Sequence, residues 1–336
     1  MDSQLGVAVI GLGRIGQPYA QILSQLPNTR LVAVCDVALE AAERVSREEG
    51  VPGYTDVRQM LRLEPDIQAV CVCTSDPAHL EPCLAAAEAG KHILVEKPLA
   101  VTVEDGEAIV QAAHAAGVKL MVGHILRFDP RYAGAWQAVQ EGRIGEPIHA
   151  FARRNNILAS GRRLEGRTSV LFFLGIHDTD FLLWCLNARP QKVYAAASRK
   201  LMADLGADDA IFMLLHFEGG AVACLEASWV LPNTSLATLD ARIEIVGTQG
   251  AVYVDIHGQG LTVVDASRLD RPDTMYGPVV HGQVTGILKE EIAHFVSCVL
   301  DDREPLITGE MGLDAVRVIV AAHRSLESGR PEPVFP

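Results

Sequence analysis

Positive charge is scarce in this chain. Across 336 residues, 29 lysines and arginines face 42 aspartates and glutamates, for a formal net charge of −13. That deficit argues against tracking nucleic acid or coating an anionic membrane, since both need a positive field. Long hydrophobic runs are also missing. No stretch approaches the roughly 20 apolar residues that cross a bilayer. The opening MDSQLGVAVIG has an acidic residue and no basic leader region, so it does not read as a signal peptide. A cytoplasmic protein is the expectation. Cysteines number seven, an odd count. Cys35, Cys71, Cys73, Cys83 and Cys185 lie in apolar surroundings and read as buried free thiols of a reducing compartment. Cys71 and Cys73 are alternate residues of a hydrophobic run with no further ligand cluster nearby, so no metal site is expected. Internal repeats, low-complexity tracts and long linkers are lacking too.

What is present is ordinary globular material, 49% hydrophobic and 21% charged. The length predicts two domains. The first ~125 residues alternate strand and helix patterns, the mark of a parallel α/β sheet. Strands are expected at 5–11, 31–36, 69–74, 92–97 and 119–124. Helices are expected at 14–26, 38–49, 78–89 and 103–116. After Pro130 the rhythm changes. Helical patterns at 131–141 and 170–186 precede strand candidates at 192–199, 209–217, 221–230, 241–247, 251–256 and 260–265. Gly219-Gly220 suits a hairpin between two of these. Helices at 284–300 and 311–327 close the chain. The expectation is a doubly wound Rossmann domain over 1–125, then an α+β domain over 126–336 with a mostly antiparallel sheet.

Gly11-Leu12-Gly13-Arg14-Ile15-Gly16 follows a strand and opens a helix. Gly11 permits the tight turn, Gly13 lets the backbone approach a pyrophosphate, and Gly16 packs helix on strand, leaving the helix N-terminus facing the anion. Asp36 ends the second strand twenty residues on. Its carboxylate suits both adenosine ribose hydroxyls and repels a 2′-phosphate, and Val37 and Ala38 offer no positive charge, so NAD is favoured over NADP. Thr74-Ser75-Asp76-Pro77-Ala78-His79 follows a further strand, where a dinucleotide is touched; the same residues also suit a helix N-cap. Thr74, Ser75 and His79 are cofactor candidates. Glu96-Lys97-Pro98 sets two charges at a strand end, with Pro98 blocking the ladder. A lysine there polarises a substrate oxygen and eases alkoxide formation. A plain surface ion pair is the competing reading.

GLGRIG, the Asp36 strand end, TSDPAH, VEKP and GHILRFDPRY together resemble the glucose–fructose oxidoreductase/inositol dehydrogenase family, Gfo/Idh/MocA. The resemblance covers essentially the whole chain. It implies a Rossmann domain, an open antiparallel sheet that pairs subunits into homodimers or homotetramers, and NAD(P)-dependent oxidation of sugars or polyols. It also implies a helix carrying aspartate, then histidine, then aspartate. His177 and Asp180 match the last two, while Phe173 stands where the first aspartate is usual. His177 is then the general acid/base, Asp180 its companion, and Phe173 an apolar wall to the substrate. A core histidine capped by an acid is the alternative. Arg127 is implied near the nicotinamide.

Between the preceding strand and that helix, RRNNILASGRRLEGRTS carries Arg153, Arg154, Arg162, Arg163 and Arg167. Guanidinium forks bind carboxylate or phosphate. Either Arg153, Asn155 and Arg163 meet an anionic carbohydrate, or the arginines pair acids or water. The reading is an NAD-dependent dehydrogenase of a secondary alcohol in a sugar, polyol or sugar acid. A non-catalytic NAD-binding sensor, and NAD-assisted elimination or glycoside cleavage, are its alternatives.

Overall fold

The computed structural model describes residues 4–264, 266 and 269–335. Its contacts divide the chain into two compact units. One runs up to Ile125 and takes in Met275–Leu313; the other comprises Leu126–Thr274 and Asp314 onward. The sequence pattern suggests a single crossing near 125, but residues 275–313 return to the first unit. There the main-chain N–H of Val284 donates to the Gln25 side chain, and that of Val122 to the Ile307 carbonyl.

The first unit is built on β1 (Leu5–Ile10), β2 (Thr29–Cys35), β3 (Gly53–Tyr54), β4 (Ala69–Val72), β5 (His92–Glu96) and β6 (Leu120–Gly123). Every pairing is parallel, in the order β3-β2-β1-β4-β5-β6. β1 and β4 are buried at every residue. Such strands lack alternation because helices cover both faces of a parallel sheet. The crossovers carry α1 (Gly16–Gln25), α2 (Leu39–Glu49), α3 (Val57–Leu63), α4 (Leu80–Glu88) and α5 (Val103–Ala116). Thr102 caps α5 by accepting from the Asp105 N–H, and Gly117 ends it in the left-handed region. The strand order reverses between β1 and β4, so the crevice for a ligand opens at their carboxyl ends. The short β3 and α3 escape the sequence pattern, because a two-residue strand has no period to detect.

The second unit holds α6 (Pro130–Gln140), β7 (Pro147–Ile157), α7 (Leu158–Arg162), α8 (Ile176–Leu186), β8 (Pro190–Ser198), β9 (Ala210–Phe217), β10 (Val222–Leu231), β11 (Leu239–Gly247) and β12 (Ala251–Asp255). These strands form one sheet, β12-β11-β7-β10-β9-β8, completed at its edge by Glu332–Pro333. All neighbours are antiparallel except β7 and β10. Burial alternates cleanly, as in β9, where Ile211, Met213, Leu215 and Phe217 are buried and Phe212, Leu214 and His216 are exposed. One face therefore packs on helices and the other lies open.

Three expectations need correction. Residues 153–157 belong to β7 rather than to a connecting segment, because arginine and asparagine here fill both faces of a paired strand. The helix expected at 170–186 starts with a π-turn, Leu171–Gly175, before α8. Only Val263–Val264 of the strand expected at 260–265 is a strand, and residue 265 lies outside the described residues. The closing helices are α9 (Ile287–Leu300) and α10 (Gly309–Ser328). Among the described residues no helix is long and apolar enough to cross a membrane.

Candidate active site

In the first unit the glycine turn lies against the end of β4. Gly11 adopts φ +88°, and a Cβ there would come within 2.6–2.7 Å of the Cys73 carbonyl and the Thr74 nitrogen. A Cβ on Gly16 would overlap the Gly11 carbonyl. Gly13 is exposed and has no atom within 4 Å of its Cβ position, which leaves the backbone open to close approach. Leu12 is fully buried, Arg14 exposed and Ile15 half-buried at the helix entrance.

Asp36 folds back over this turn. Its Oδ2 accepts from the Leu12 N–H at 2.7 Å and its Oδ1 from the Ala38 N–H at 2.8 Å. Each carboxylate oxygen keeps a second lone pair for a ribose hydroxyl. The glycine turn, the open Gly13 backbone and an oriented carboxylate make a cradle that fits NAD. Gly11–Gly16 would hold the pyrophosphate and Asp36 the adenosine ribose.

The loop after β4 is a short 3₁₀ turn, Asp76–Ala78, with Pro77 in its first positions. Ser75 stands at its N-cap without a side-chain bond, so the capping alternative does not hold for that residue. Thr74 Oγ1 donates to the Ala78 carbonyl at 3.0 Å. His79 is 1% exposed. Its Nδ1 lies 2.8 Å from the Pro98 carbonyl oxygen and its Nε2 3.2 Å from that of Thr74. Both ring nitrogens thus meet backbone of this unit, and His79 ties the β4 loop to the turn after Lys97. Burial pushes its pKa down, against the opposing pull of Asp76 and the carbonyls.

Glu96 and Lys97 end β5 before a cis Lys97–Pro98 bond. The Glu96 carboxylate accepts from the Lys97 main-chain N–H at 3.1 Å and from the Tyr19 hydroxyl at 2.9 Å. Tyr19, on α1, also lies 3.2 Å from a Glu291 oxygen on α9. Glu96 is therefore not merely the surface partner of its neighbour. Tyr19 and Glu291 carry no motif and escape notice in the sequence; only the topology brings them beside β5.

In the second unit, α8 carries two acids, Asp178 and Asp180, in an otherwise largely apolar stretch. Asp178 takes a bidentate fork from Arg154 at 2.8 and 2.9 Å. Arg154 also donates to the Tyr132 hydroxyl at 3.0 Å. Asp180 takes a second fork from Arg127 at 3.0 and 2.6 Å. All four charged side chains are at most 4% exposed. Arg127 lies 5.2 Å over the Trp184 ring. Asp180 is thus an ion-pair acid, and within its unit Arg127 is anchored to it. His177, one residue before Asp178 on α8, is half-buried.

The arginine-rich stretch is largely neutralised. Arg153 reaches Asp240 at 2.9 Å and Arg162 reaches Asp204 at 2.6 Å. Arg167 donates to the Leu164 carbonyl at 3.1 Å, and Arg163 is exposed where α7 ends. Asn155 gives its Nδ2 to Glu226 at 2.6 Å, and its buried Oδ1 has no partner among the described residues. Trp229 gathers the rest. Its buried ring lies 6.2 Å from the Phe173 ring, and a Cβ on Gly161 of α7 would come within 2.7 Å of it. Among the described residues no group of three or more His, Cys, Asp or Glu is placed to hold a metal ion.

Residues 5–124 match the family model described as "Oxidoreductase family, NAD-binding Rossmann fold", and residues 132–253 match the GFO/IDH/MocA C-terminal domain. A scyllo-inositol 2-dehydrogenase (NAD(+)) of Bacillus subtilis is 30% identical over 340 residues, covering 98% of this chain and 96% of that protein. A myo-inositol 2-dehydrogenase of Thermotoga maritima is 27% identical over 96% of this chain and 97% of its own length. Among solved structures, a scyllo-inositol dehydrogenase of Lactobacillus casei with bound NAD(H) and scyllo-inositol superposes with a TM-score of 0.85 over 99% of both chains. At 23% identity that likeness speaks for the fold alone.

Proposed function

This chain belongs to the Gfo/Idh/MocA family of NAD-binding oxidoreductases, and from that premise we propose that it reversibly oxidises a secondary alcohol of a neutral polyol or sugar. When bound, NAD supplies the hydride acceptor. The Lys97 ammonium holds the reacting oxygen and lowers the cost of negative charge on it. The His177 imidazole takes the hydroxyl proton and returns it in the reverse direction.

The observation that carries this reading is the position of Lys97. It leaves the carboxyl end of β5, the same sheet edge that bears the glycine turn and the β4 loop, where ligands of doubly wound sheets bind. Its backbone is fixed there from three sides, by Glu96, by Pro98 and through Pro98 by His79. Relatives named for scyllo- and myo-inositol support a cyclic polyol. So does the pairing of Arg153 and Arg162 with aspartates, which leaves those guanidinium forks committed to the protein rather than to an anionic substrate. Phe173, half-buried beside the buried Trp229 ring, would give a substrate an apolar surface in place of a further carboxylate.

The open sheet face supports self-association. Tyr194, Leu214, Cys224, Phe151, Glu244 and Tyr253 stand in register across six strands. Tyr194, Leu214 and Tyr253 are 42%, 49% and 70% exposed. A row of that extent, apolar but for Glu244, suits a second copy of the chain.

The test is NADH absorbance with inositols, neutral sugars and sugar acids. Turnover with a neutral polyol is expected to exceed that with any sugar acid, and no turnover with any of them contradicts the reading. His177→Ala is expected to flatten the acid limb of the pH–rate profile. A variant that keeps the wild-type profile removes the base from the scheme.

A further inference from the structure

The helical run that carries His177 is buried almost throughout. From 170 to 182 every residue is buried except two, Phe173 and His177, which are half-buried. The π-turn Leu171–Gly175 passes into α8 through helical backbone at Gly175 and Ile176, with φ −62° and −60°, so the run stays helical between them. Residues four apart are neighbours on one helix face. One accessible strip therefore presents an aromatic ring beside the imidazole. The adjacent Phe172 is engaged elsewhere, buried and stacked on the His323 ring at 5.5 Å. Phe173 is backed by Trp229, whose ring centroid lies 6.2 Å away at 40°. Trp229 is itself fixed. It is fully buried, its Nε1 donates to the Asp208 carbonyl at 2.7 Å, and Gly161 lies against its ring. Phe173 is thus an aromatic surface on a firm support.

We propose that Phe173 is a specificity-determining residue whose ring packs on the flat face of a cyclic substrate. The chain then selects six-membered rings that carry axial C–H bonds on that face and hydroxyls around the rim. This selection rests on the polyol dehydrogenase reading above. In a chair with equatorial hydroxyls the oxygens point outward and the axial hydrogens cover both faces. Such a face is apolar, and its slightly positive hydrogens suit the negative face of an aromatic ring. The rim leaves a hydroxyl for the imidazole one turn along the helix. An axial hydroxyl on the stacked face pushes the substrate off Phe173. It also gives up water without gaining a hydrogen-bond partner there, because a phenyl ring carries no polar atom. An apolar wall rejects such a hydroxyl by roughly ten- to a hundredfold.

The experiment compares scyllo-inositol, which has no axial hydroxyl, with D-chiro-inositol, which has one on each face. With NAD, kcat/KM for scyllo-inositol is expected to exceed that for D-chiro-inositol by roughly ten- to a hundredfold. Phe173→Tyr keeps the flat ring and is expected to keep the ratio. Phe173→Asn can hydrogen-bond an axial hydroxyl and is expected to lose most of it. Should Phe173→Asn fail to fold, Phe173→Ser, which admits water to the same spot, carries the same expectation. A wild-type ratio near one, or a ratio that the polar variant leaves unchanged, overturns the proposal. Binding is read without turnover by saturation-transfer NMR on the NADH-loaded protein. The ring hydrogens of scyllo-inositol are expected to receive saturation from aromatic protons in wild type and Phe173→Tyr, and to lose it in the polar variant. Undiminished transfer in that variant overturns the proposal too. Transfer without turnover of any polyol contradicts the dehydrogenase reading but leaves the stacking in place, and the affinity ratio of the two inositols then decides the selectivity. Turnover with an indifferent ratio sinks the role of Phe173 and spares the reading.

Discussion

At His79 burial outweighs the carbonyls that would welcome the ring's charge, and the pKa is pushed down. On unfolding it regains an ordinary value near 6.5. Below about that pH the unfolded state binds a proton that the folded state refuses, so the stability owed to the neutral ring is present above pH ~6.5 and lost on acidification. His79→Gln keeps a donor for one carbonyl and does not titrate. Its melting temperature is expected to fall less than that of the wild type between about pH 7 and pH 5; an equal fall contradicts this account. The residue type alone admits a cofactor contact at His79. The contact with the Pro98 carbonyl shows instead a clamp between two loops nineteen residues apart in sequence, and a pairing between loops leaves no local pattern to read.

Helix α8 is the element in which local pattern and tertiary demand conflict. Asp178 and Asp180 interrupt an apolar stretch because two buried arginines, from β7 and from the segment before α6, need counter-charges there. Two charges withdrawn from water are tolerable only with near-ideal geometry, which the bidentate forks supply. Asp178→Ala leaves Arg154 buried and uncompensated and is expected to cost about 3–5 kcal/mol in denaturant unfolding. A loss below about 1 kcal/mol would show Arg154 satisfied by other means. The glycine turn, Asp36 and the strands of the first sheet were legible because their chemistry is written in contiguous residues. The partners of Arg153, Arg154 and Arg127 were not, since each pairing joins residues 24 or more positions apart. Residues 153–157 escaped recognition as strand for a related reason. In β7 the polar side chains find partners on both faces, which erases the alternation that marks a half-buried strand.

For the whole molecule, two sheets follow two different rules. The parallel sheet is covered on both faces and its central strands are buried throughout, which is what made the Rossmann expectation firm. The larger sheet shows period-two burial and leaves the Tyr194–Leu214–Tyr253 row uncovered. Leu214→Lys places a charge in the middle of that row and is expected to reduce the mass measured by light scattering to that of one chain, 36.2 kDa. An unchanged mass would put the subunit contact on another surface. Residues 275–313 return to the first unit, bringing Glu291 to Tyr19, so the turn that carries Lys97 is braced by residues from both ends of the sequence. In the proposed scheme, Lys97 acts from this braced turn on a substrate oxygen without being needed to hold the cofactor. The direct measurement is single-turnover formation of NADH from a polyol substrate by wild type and Lys97→Ala, with NAD affinity measured in parallel. The account predicts a rate lowered by roughly 10²–10³ with the NAD Kd nearly unmoved. A rate within a few-fold of wild type would contradict it.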